Sequence, residues 1–443
     1  FGKDAQILWL PDVFGYSATL PQILKKCGVH YFMTTKISWN EVNKIPYDTF
    51  YWKGIDGTKV LSHFIPTRDY VSKTRSLKTN NEHTSAITTN YNGYLNPCQI
   101  KGAWQRYQQK ELNDQVLCSF GYGDGGGGPT AEMLETQRRL AYGIPGCPTT
   151  KPATAREFFD KLAADVAEKN VPVWSGELYL EYHRATYTSM ARNKRSNRRG
   201  EFALLNLETW ASAASLLCGT EYPSAALQEG WEILMRNQFH DILPGSHIHP
   251  VYEDAMADYA QVDGELTALL SGSADRYFNS LNFRRSFLTF VEDADGPALR
   301  CGKRGFWSMP NLPGLSGGSA SPLPAQAGWL TSQRAGEELL LETSFYRIRL
   351  RRDGSFVSLW DKELGREWVK DGCGFNRLHL YADHPGNYDA WDILPNYRDV
   401  ERPLPVISEL ALTAQDGVHA ELTVSFATEK SSWRMIIRLF AQS

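Results

Sequence analysis

Asp12 stands between Pro11 and Val13, directly after the apolar run Ile7-Leu8-Trp9-Leu10. That run reads as the end of a short buried strand, and Pro11 removes a backbone donor and stops the ladder. Gly15 makes the next turn, and Ser17 is placed to cap a helix through Leu20, Ile23 and Leu24. A carboxylate at the C-terminal end of a strand, before a βα loop, is where parallel α/β enzymes keep their chemistry. Taken alone, Asp12 is also a simple turn cap. A second carboxylate, Asp124, sits inside the run Gly121-Tyr122-Gly123-Asp124-Gly125-Gly126-Gly127-Gly128. Gly121, Gly123 and Gly126 satisfy the dinucleotide pattern G-x-G-x-x-G. Asp124, however, would repel a pyrophosphate there, and no acidic residue ends a second strand about twenty residues on. The loop is better suited to let backbone approach a ligand closely while presenting Asp124.

Further along, Phe239-His240-Asp241-Ile242-Leu243-Pro244-Gly245 brings an imidazole and a carboxylate to the C-terminal end of a helix, where Pro244-Gly245 breaks it. Such a histidine commonly partners the last helical carbonyls. His247 and His249 form an H-x-H pair able to bind metal, but Pro250 and the helix after it favour a capping role. The basic run Arg192, Lys194, Arg195, Arg198 and Arg199 spreads around a helix and reads as a solvated face with acidic partners.

These residues need elements to hold them. From 1 to about 152, short apolar runs such as Tyr31-Phe32-Met33 and Lys59 to Phe64 alternate with helical stretches, including one from Trp104 to Leu112. Gln115 to Phe120 reads as a buried strand running into the glycine loop. The alternation implies a mainly parallel sheet or barrel. Residues 153–272 read as a helical bundle. A capping box at Thr154-Ala155-Arg156-Glu157 opens it, long helices follow from Ser189 to Leu217 and Ser224 to Gln238, and Pro250 sits in the first turn of another through Leu269. From 273 to 443 the period is two. Phe345 to Arg351, the turn Asp353-Gly354 and Phe356 to Trp360 make a hairpin, and Ala420 to Phe426 and Trp433 to Leu439 add strands, as in an antiparallel β-sandwich. Gly305 to Glu337, rich in Gly, Ser and Pro, reads as a long surface loop. The fold class expected is therefore multi-domain: α/β, then α, then β.

A net charge of −3 argues against generic nucleic-acid binding, and no apolar run is long enough to cross a membrane. Seven scattered cysteines without a C-x-x-C pair, and no N-x-S/T acceptor, fit a reducing compartment and a cytoplasmic protein. The opening Phe1-Gly2-Lys3-Asp4 and the end straight after strand-like sequence give the expectation of a fragment lacking its N-terminal part.

Several segments together resemble glycoside hydrolase family 38, the α-mannosidases of the cytosolic, vacuolar and bacterial branch. They are Leu10 to Ile23, Phe32 to Asn40, Phe50 to Gly57, Gly121 to Asp124, Tyr182-His183-Arg184 through Asn193-Lys194-Arg195, Phe239 to Ser246 and Asn387 to Asp392. The resemblance implies the later part of a (β/α)7-barrel-like catalytic domain in 1–152. It also implies a retaining exo-α-mannosidase that removes terminal α-linked mannose from oligosaccharides. Retention needs two carboxyl groups, one as nucleophile and one as acid/base. By motif position Asp12 is the nucleophile and a metal ligand, Asp124 the acid/base candidate, and His240 a second metal ligand. Asp241, Tyr187 and Trp39 are the expected sugar contacts. The implied metal is zinc, orienting the 2- and 3-hydroxyls. The family's other two ligands come from an H-x-D motif ahead of the nucleophile, and none precedes Asp12 here, so the metal site is expected to be half-encoded. At His247 relatives usually carry a small residue. A sugar-binding or structural module without catalysis is the alternative reading, and a homo-oligomer stays open.

Overall fold

The computed structural model describes residues 4–40, 42–68, 89–270, 276–291, 305–319, 321–384, 386 and 388–441. Asn387 of the last family-like segment and Cys301 lie outside them. The chain forms two compact units.

The first unit comprises Phe1–Ser189, Pro244–Ser246 and Tyr388–Ile393. Its elements are β1 (Ile7–Trp9), β2 (Gly15–Tyr16), α1 (Leu20–Lys26), β3 (Tyr31–Thr34), β4 (Thr49–Lys53), β5 (Lys59–Phe64), α2 (Pro97–Arg106), α3 (Ala131–Leu140), α4 (Ala155–Val166), β6 (Val173–Ser175) and β7 (Leu178–Tyr179). Five strands make one sheet in the order β1-β3-β5-β4-β6. All its pairings are parallel except β4 with β5. Successive side chains alternate between two cores. Phe32, Val60, Phe50 and Trp52 pack on one face with Phe14, Tyr16 and Leu178, while Met33 and Leu61 pack on the other with Phe158, Phe159, Leu162 and Val166 of α4. A sheet covered on both faces needs such continuous apolar runs. The unit continues through Ser189, because β6 extends the sheet beside β4 and β7 pairs with β2.

Three expectations for this unit are corrected. The helix read over Trp104 to Leu112 is α2 at Pro97–Arg106. Asn96 accepts from the Gln99 N–H at 2.9 Å and Pro97 occupies the first turn, and these cap signals outweigh apolar spacing. The strand read over Gln115 to Phe120 is reduced to one bridge between Phe120 and Gly93. There the Leu117 N–H donates to His63 instead of to a neighbouring strand. Ser17 does not cap α1, whose N-cap is Thr19 without a side-chain bond.

His63 is fully buried, with Nδ1 on Thr49 Oγ1 at 2.9 Å and Nε2 accepting from Leu117 N. Burial, aided by the Arg106 charge, pushes its pKa down to about 3. An imidazole neutral when folded but free to protonate when unfolded makes the unfolded state bind more protons between about pH 3 and the ordinary histidine value. Stability therefore falls as pH drops through that window, by at most about 1.4 kcal/mol per unit from this group. Urea unfolding at pH 6 and pH 4.5 should show a steeper loss in the wild type than in His63→Gln. Equal slopes would remove His63 from the acid response.

The second unit comprises Met190–Leu243, His247–Asn387 and Leu394–Ser443. Helices α5 (Ala191–Cys218), α6 (Ser224–Asn237) and α7 (His249–Leu270) share a core of Leu204, Leu207, Leu227, Leu234, Ala255 and Val262. Gly230 lets α6 approach α5, since a Cβ there would lie 2.8 Å from Leu204 Cδ2. Antiparallel strands follow: β8 (Arg276–Asn279), β9 (Arg285–Val291), β10 (Gly305–Leu312), β11 (Ser316–Ser319), β12 (Ser321–Pro322), β13 (Thr331–Ala335), β14 (Glu338–Glu342), β15 (Tyr346–Arg351), β16 (Phe356–Asp361) and β17 (Arg366–Glu367). Next come β18 (Leu380–Tyr381), β19 (Glu401–Arg402), β20 (Val406–Gln415), β21 (His419–Ala427) and β22 (Ser432–Phe440). The expected surface loop at Gly305 to Glu337 is thus corrected to four strands, β10 to β13. Glycine and serine weaken strand propensity, but the ladders with β8, β9 and β14 override it. Sheets β13–β17 and β20–β22 share one core, in which Leu341, Ile348 and Leu350 meet Ala420, Leu422, Val424 and Phe426. Among the described residues no helix is long and apolar enough to cross a membrane.

Candidate active site

Asp12 lies where β1 ends. The Leu10 N–H donates to Met33 O at 3.1 Å, and the Thr35 and Lys36 N–H groups then both donate to Pro11 O. Proline thus ends the strand, and the turn after β3 closes over it. That turn delivers Lys36, whose Nζ lies 2.6 Å from Asp12 Oδ1, each side chain being only 12% exposed. Tyr91 donates its hydroxyl proton to Asp12 Oδ2 at 2.7 Å. The carboxylate is held at both oxygens, by a cation on one side and a neutral donor on the other. Burial, the bond to Asp12, and the charges of Asp12 and Asp124 all push the Tyr91 pKa up, so the phenol stays a donor.

Aromatic rings wall this pair. The Lys36 ammonium sits 4.4 Å from the Trp39 ring centroid and 5.8 Å from Phe14. Phe14 in turn packs on His183 at 4.3 Å. Burial, then Lys36, push His183 down to about 3, with Asp12 opposing. His183 therefore faces the pair as a neutral ring. Trp39 donates its indole N–H to Thr89 O at 3.1 Å. Tyr187, expected as a sugar contact, is exposed, with its hydroxyl 3.3 Å from where a Cβ on Gly15 would stand.

Asp124 sits exposed in the glycine loop. Gly121 has φ +116° and a Cβ on it would lie 2.8 Å from Pro129 N, while one on Gly127 would lie 2.7 Å from Tyr122 O. Only glycine closes this loop. The Asp124 N–H donates to Asn92 Oδ1 at 3.0 Å. Asp12 is tied through its carboxylate to Tyr91, and Asp124 through its backbone N–H to the next residue, Asn92, so one dipeptide contacts both of the residues that the sequence singles out. Nothing in the local pattern marked Tyr91 or assigned Lys36, although Lys36 lies within a family-like segment. Asn90 and Asn92, flanking Tyr91, are the one turn signal present, with Asn90 Oδ1 accepting from Asn92 N.

His240 and Asp241 belong to the second unit, in the turn after α6. His240 Nε2 is 3.8 Å from Asp241 Oδ2, and its ring lies 4.2 Å from Phe239. Among the described residues no three His, Cys, Asp or Glu side chains are placed to hold one metal ion. The Asp12 oxygens meet an ammonium and a hydroxyl proton instead. His249 pairs with Glu253 on α7. The basic run is partly as read, since Arg198 pairs with Glu201. Lys194 departs from it, half-buried with its Nζ on Leu243 O at 3.1 Å and its pKa pushed down by lost water.

Comparison with known proteins places the chain in a family. Residues 1–177 match the glycosyl hydrolases family 38 N-terminal domain, 181–276 the alpha mannosidase middle domain, and 341–443 the glycosyl hydrolases family 38 C-terminal domain. Alpha-mannosidase 2C1 of Mus musculus is 33% identical over 440 residues, covering 94% of this chain and 39% of that protein. Alpha-mannosidase of Saccharomyces cerevisiae is 32% identical over 427 residues, covering 92% and 36%. The chain thus spans about two fifths of the length of these relatives. A crystal structure of an alpha-mannosidase from Enterococcus faecalis V583 superposes with a TM-score of 0.63 at 15% identity, covering 96% of this chain and 55% of that one, a likeness of fold. Three consecutive domains of one family, in order along most of the sequence, and relatives that align over nearly its whole length, assign the chain to glycosyl hydrolase family 38.

Proposed function

We propose that this chain carries the core of a retaining α-mannosidase that releases terminal α-linked mannose from oligosaccharides. The observation that supports it most is the convergence of Asp12 and Asp124 on Tyr91-Asn92. Asp12, held by Lys36 Nζ on one oxygen and by the Tyr91 hydroxyl on the other, attacks the anomeric carbon as the glycosidic bond breaks. Asp124, exposed at the tip of its loop, protonates the departing oxygen. A mannosyl-Asp12 ester results. Asp124, now a carboxylate, takes a proton from water as that water attacks the same carbon from the opposite face, and Asp12 leaves. Two inversions give net retention. Tyr91 keeps Oδ2 of Asp12 hydrogen-bonded, so Asp12 is oriented before substrate arrives. Asp241, Tyr187 and Trp39 are assigned to sugar hydroxyl and ring contacts. A cytoplasmic setting agrees with the unpaired thiols of Cys27, Cys118, Cys147, Cys218 and Cys373.

Proton NMR of the first product formed from an aryl α-mannoside, read before mutarotation, tests the reaction class. α-Mannose is the expected first product. β-Mannose would require an inverting mechanism and remove the nucleophile role from Asp12.

A further inference from the structure

The Phe239–Leu243 turn carries His240 and Asp241, and it is tied down from α5. Ile242 and Leu243 both direct their N–H groups to Phe239 O, at 2.9 and 3.1 Å. The carbonyls of the same two residues are taken by side chains in the first turn of α5. Asn193 Nδ2 donates to Ile242 O at 3.2 Å and Lys194 Nζ to Leu243 O at 3.1 Å. Asn193 is fully buried, where an amide must place its protons well or lose stability. Its Nδ2 also meets His247 Nε2 at 2.9 Å. An amide nitrogen only donates, so Nε2 must offer its lone pair. His247 Nδ1 lies 3.1 Å from Ile248 O, a pure acceptor, so Nδ1 must carry the proton. The partners fix a single neutral tautomer, and a parallel stack on Tyr252, with centroids 6.2 Å apart, sets the plane of the ring. Turning the Asn193 amide over would aim its oxygen at Ile242 O, which can only accept. The Ile242 carbonyl thus sets which way the amide faces.

We propose that Asn193, oriented by His247, is a positioning residue that holds the His240-Asp241 turn in the geometry needed to bind the sugar. The inference rests on the α-mannosidase reading. It adds a residue pair outside the reacting groups, one whose loss is felt in substrate affinity.

The test uses the protein as expressed from its full gene, with an aryl α-mannoside. Asn193→Leu and His247→Leu should each raise KM about tenfold with kcat within about threefold, the pattern of lost binding common to ground and transition states. The double variant should be no worse than either single one, because both break the same couple. His247→Gln returns an acceptor to Asn193 and should bring KM back to within about threefold of wild type, a rescue that a general packing role would not give. Nitrogen-15 NMR of the wild type should show His247 protonated at Nδ1 and bare at Nε2. That measurement stands even where Asn193→Leu fails to fold. Unchanged KM in His247→Leu, no rescue by Gln, or an Nε2–H tautomer would each overturn the proposal while leaving the parent reading intact. A wild type without α-mannosidase activity would sink both.

Discussion

Asp12→Ala should lower kcat/KM for an aryl α-mannoside by about 10⁴-fold or more, the scale on which loss of a covalent nucleophile is felt. The proposed function assigns Asp12 the only bond made to the anomeric carbon in the first step. The side chain is also the acceptor for Lys36 at 2.6 Å and for Tyr91 at 2.7 Å. Removing it leaves the ammonium of Lys36 largely buried beside Trp39 and Phe14, so some stability is lost as well. Asp12→Asn separates the two effects. It keeps an oxygen for Tyr91 and most of the volume but cannot form the ester readily, so it should fold like the wild type and stay inactive. Both variants would be compared by kcat/KM and by thermal unfolding in the full-length protein. Survival of most activity in Asp12→Asn would end the nucleophile assignment.

The second large effect belongs to Asp124. In the proposed mechanism its loss should remove general acid and general base catalysis, about 10²- to 10⁴-fold. The loss depends on the leaving group. With a methyl or sugar aglycone, Asp124→Ala should fall across that whole range. With dinitrophenolate, which departs without a proton, bond cleavage proceeds and the slow step becomes attack of water on the mannosyl-enzyme. Azide needs no base, so it should accelerate turnover of the dinitrophenyl substrate and yield α-mannosyl azide. The exposed position of Asp124 at the tip of the glycine loop makes room for that anion. An equal loss for all leaving groups, with no azide product, would move the acid/base role to another carboxyl group.

Much of the scaffold was legible in the residues themselves. The capping box at Thr154 and Glu157 forms as its spacing demands, with the Thr154 side chain on Glu157 N and Glu157 back on the Thr154 N–H. Strict alternation buries Ala420, Leu422, Val424 and Phe426 on one face of β21. The helices α5, α6 and α7 begin and end within about two residues of where caps and periodicity put them. Such signals are local, because a helix or strand is specified by neighbours within a few positions. The misses have the opposite character. Residues 115–120 have the composition of a buried strand, yet a partner strand is needed to make one, and Leu117 gives its N–H to His63. Residues 305–337 look like loop because Gly and Ser weaken strand propensity, but β8, β9 and β14 lie alongside to pair with them.

The same division applies to the site. The sequence alone singled out two carboxylates, since Asp12 after its proline and Asp124 within its glycines are set by immediate neighbours. Only the tertiary structure decided what those carboxylates face. Tyr91 reaches Asp12 across 79 positions, and Lys36 arrives on the turn after a different strand. A lone tyrosine or lysine in a sequence carries no mark of its partner, because an ion pair or hydrogen bond is specified by where two backbones are brought together. Here the β1-β3 pairing brings Lys36 to Asp12, and the Gly93–Phe120 bridge joins the Tyr91-Asn92 segment to the start of the Asp124 loop.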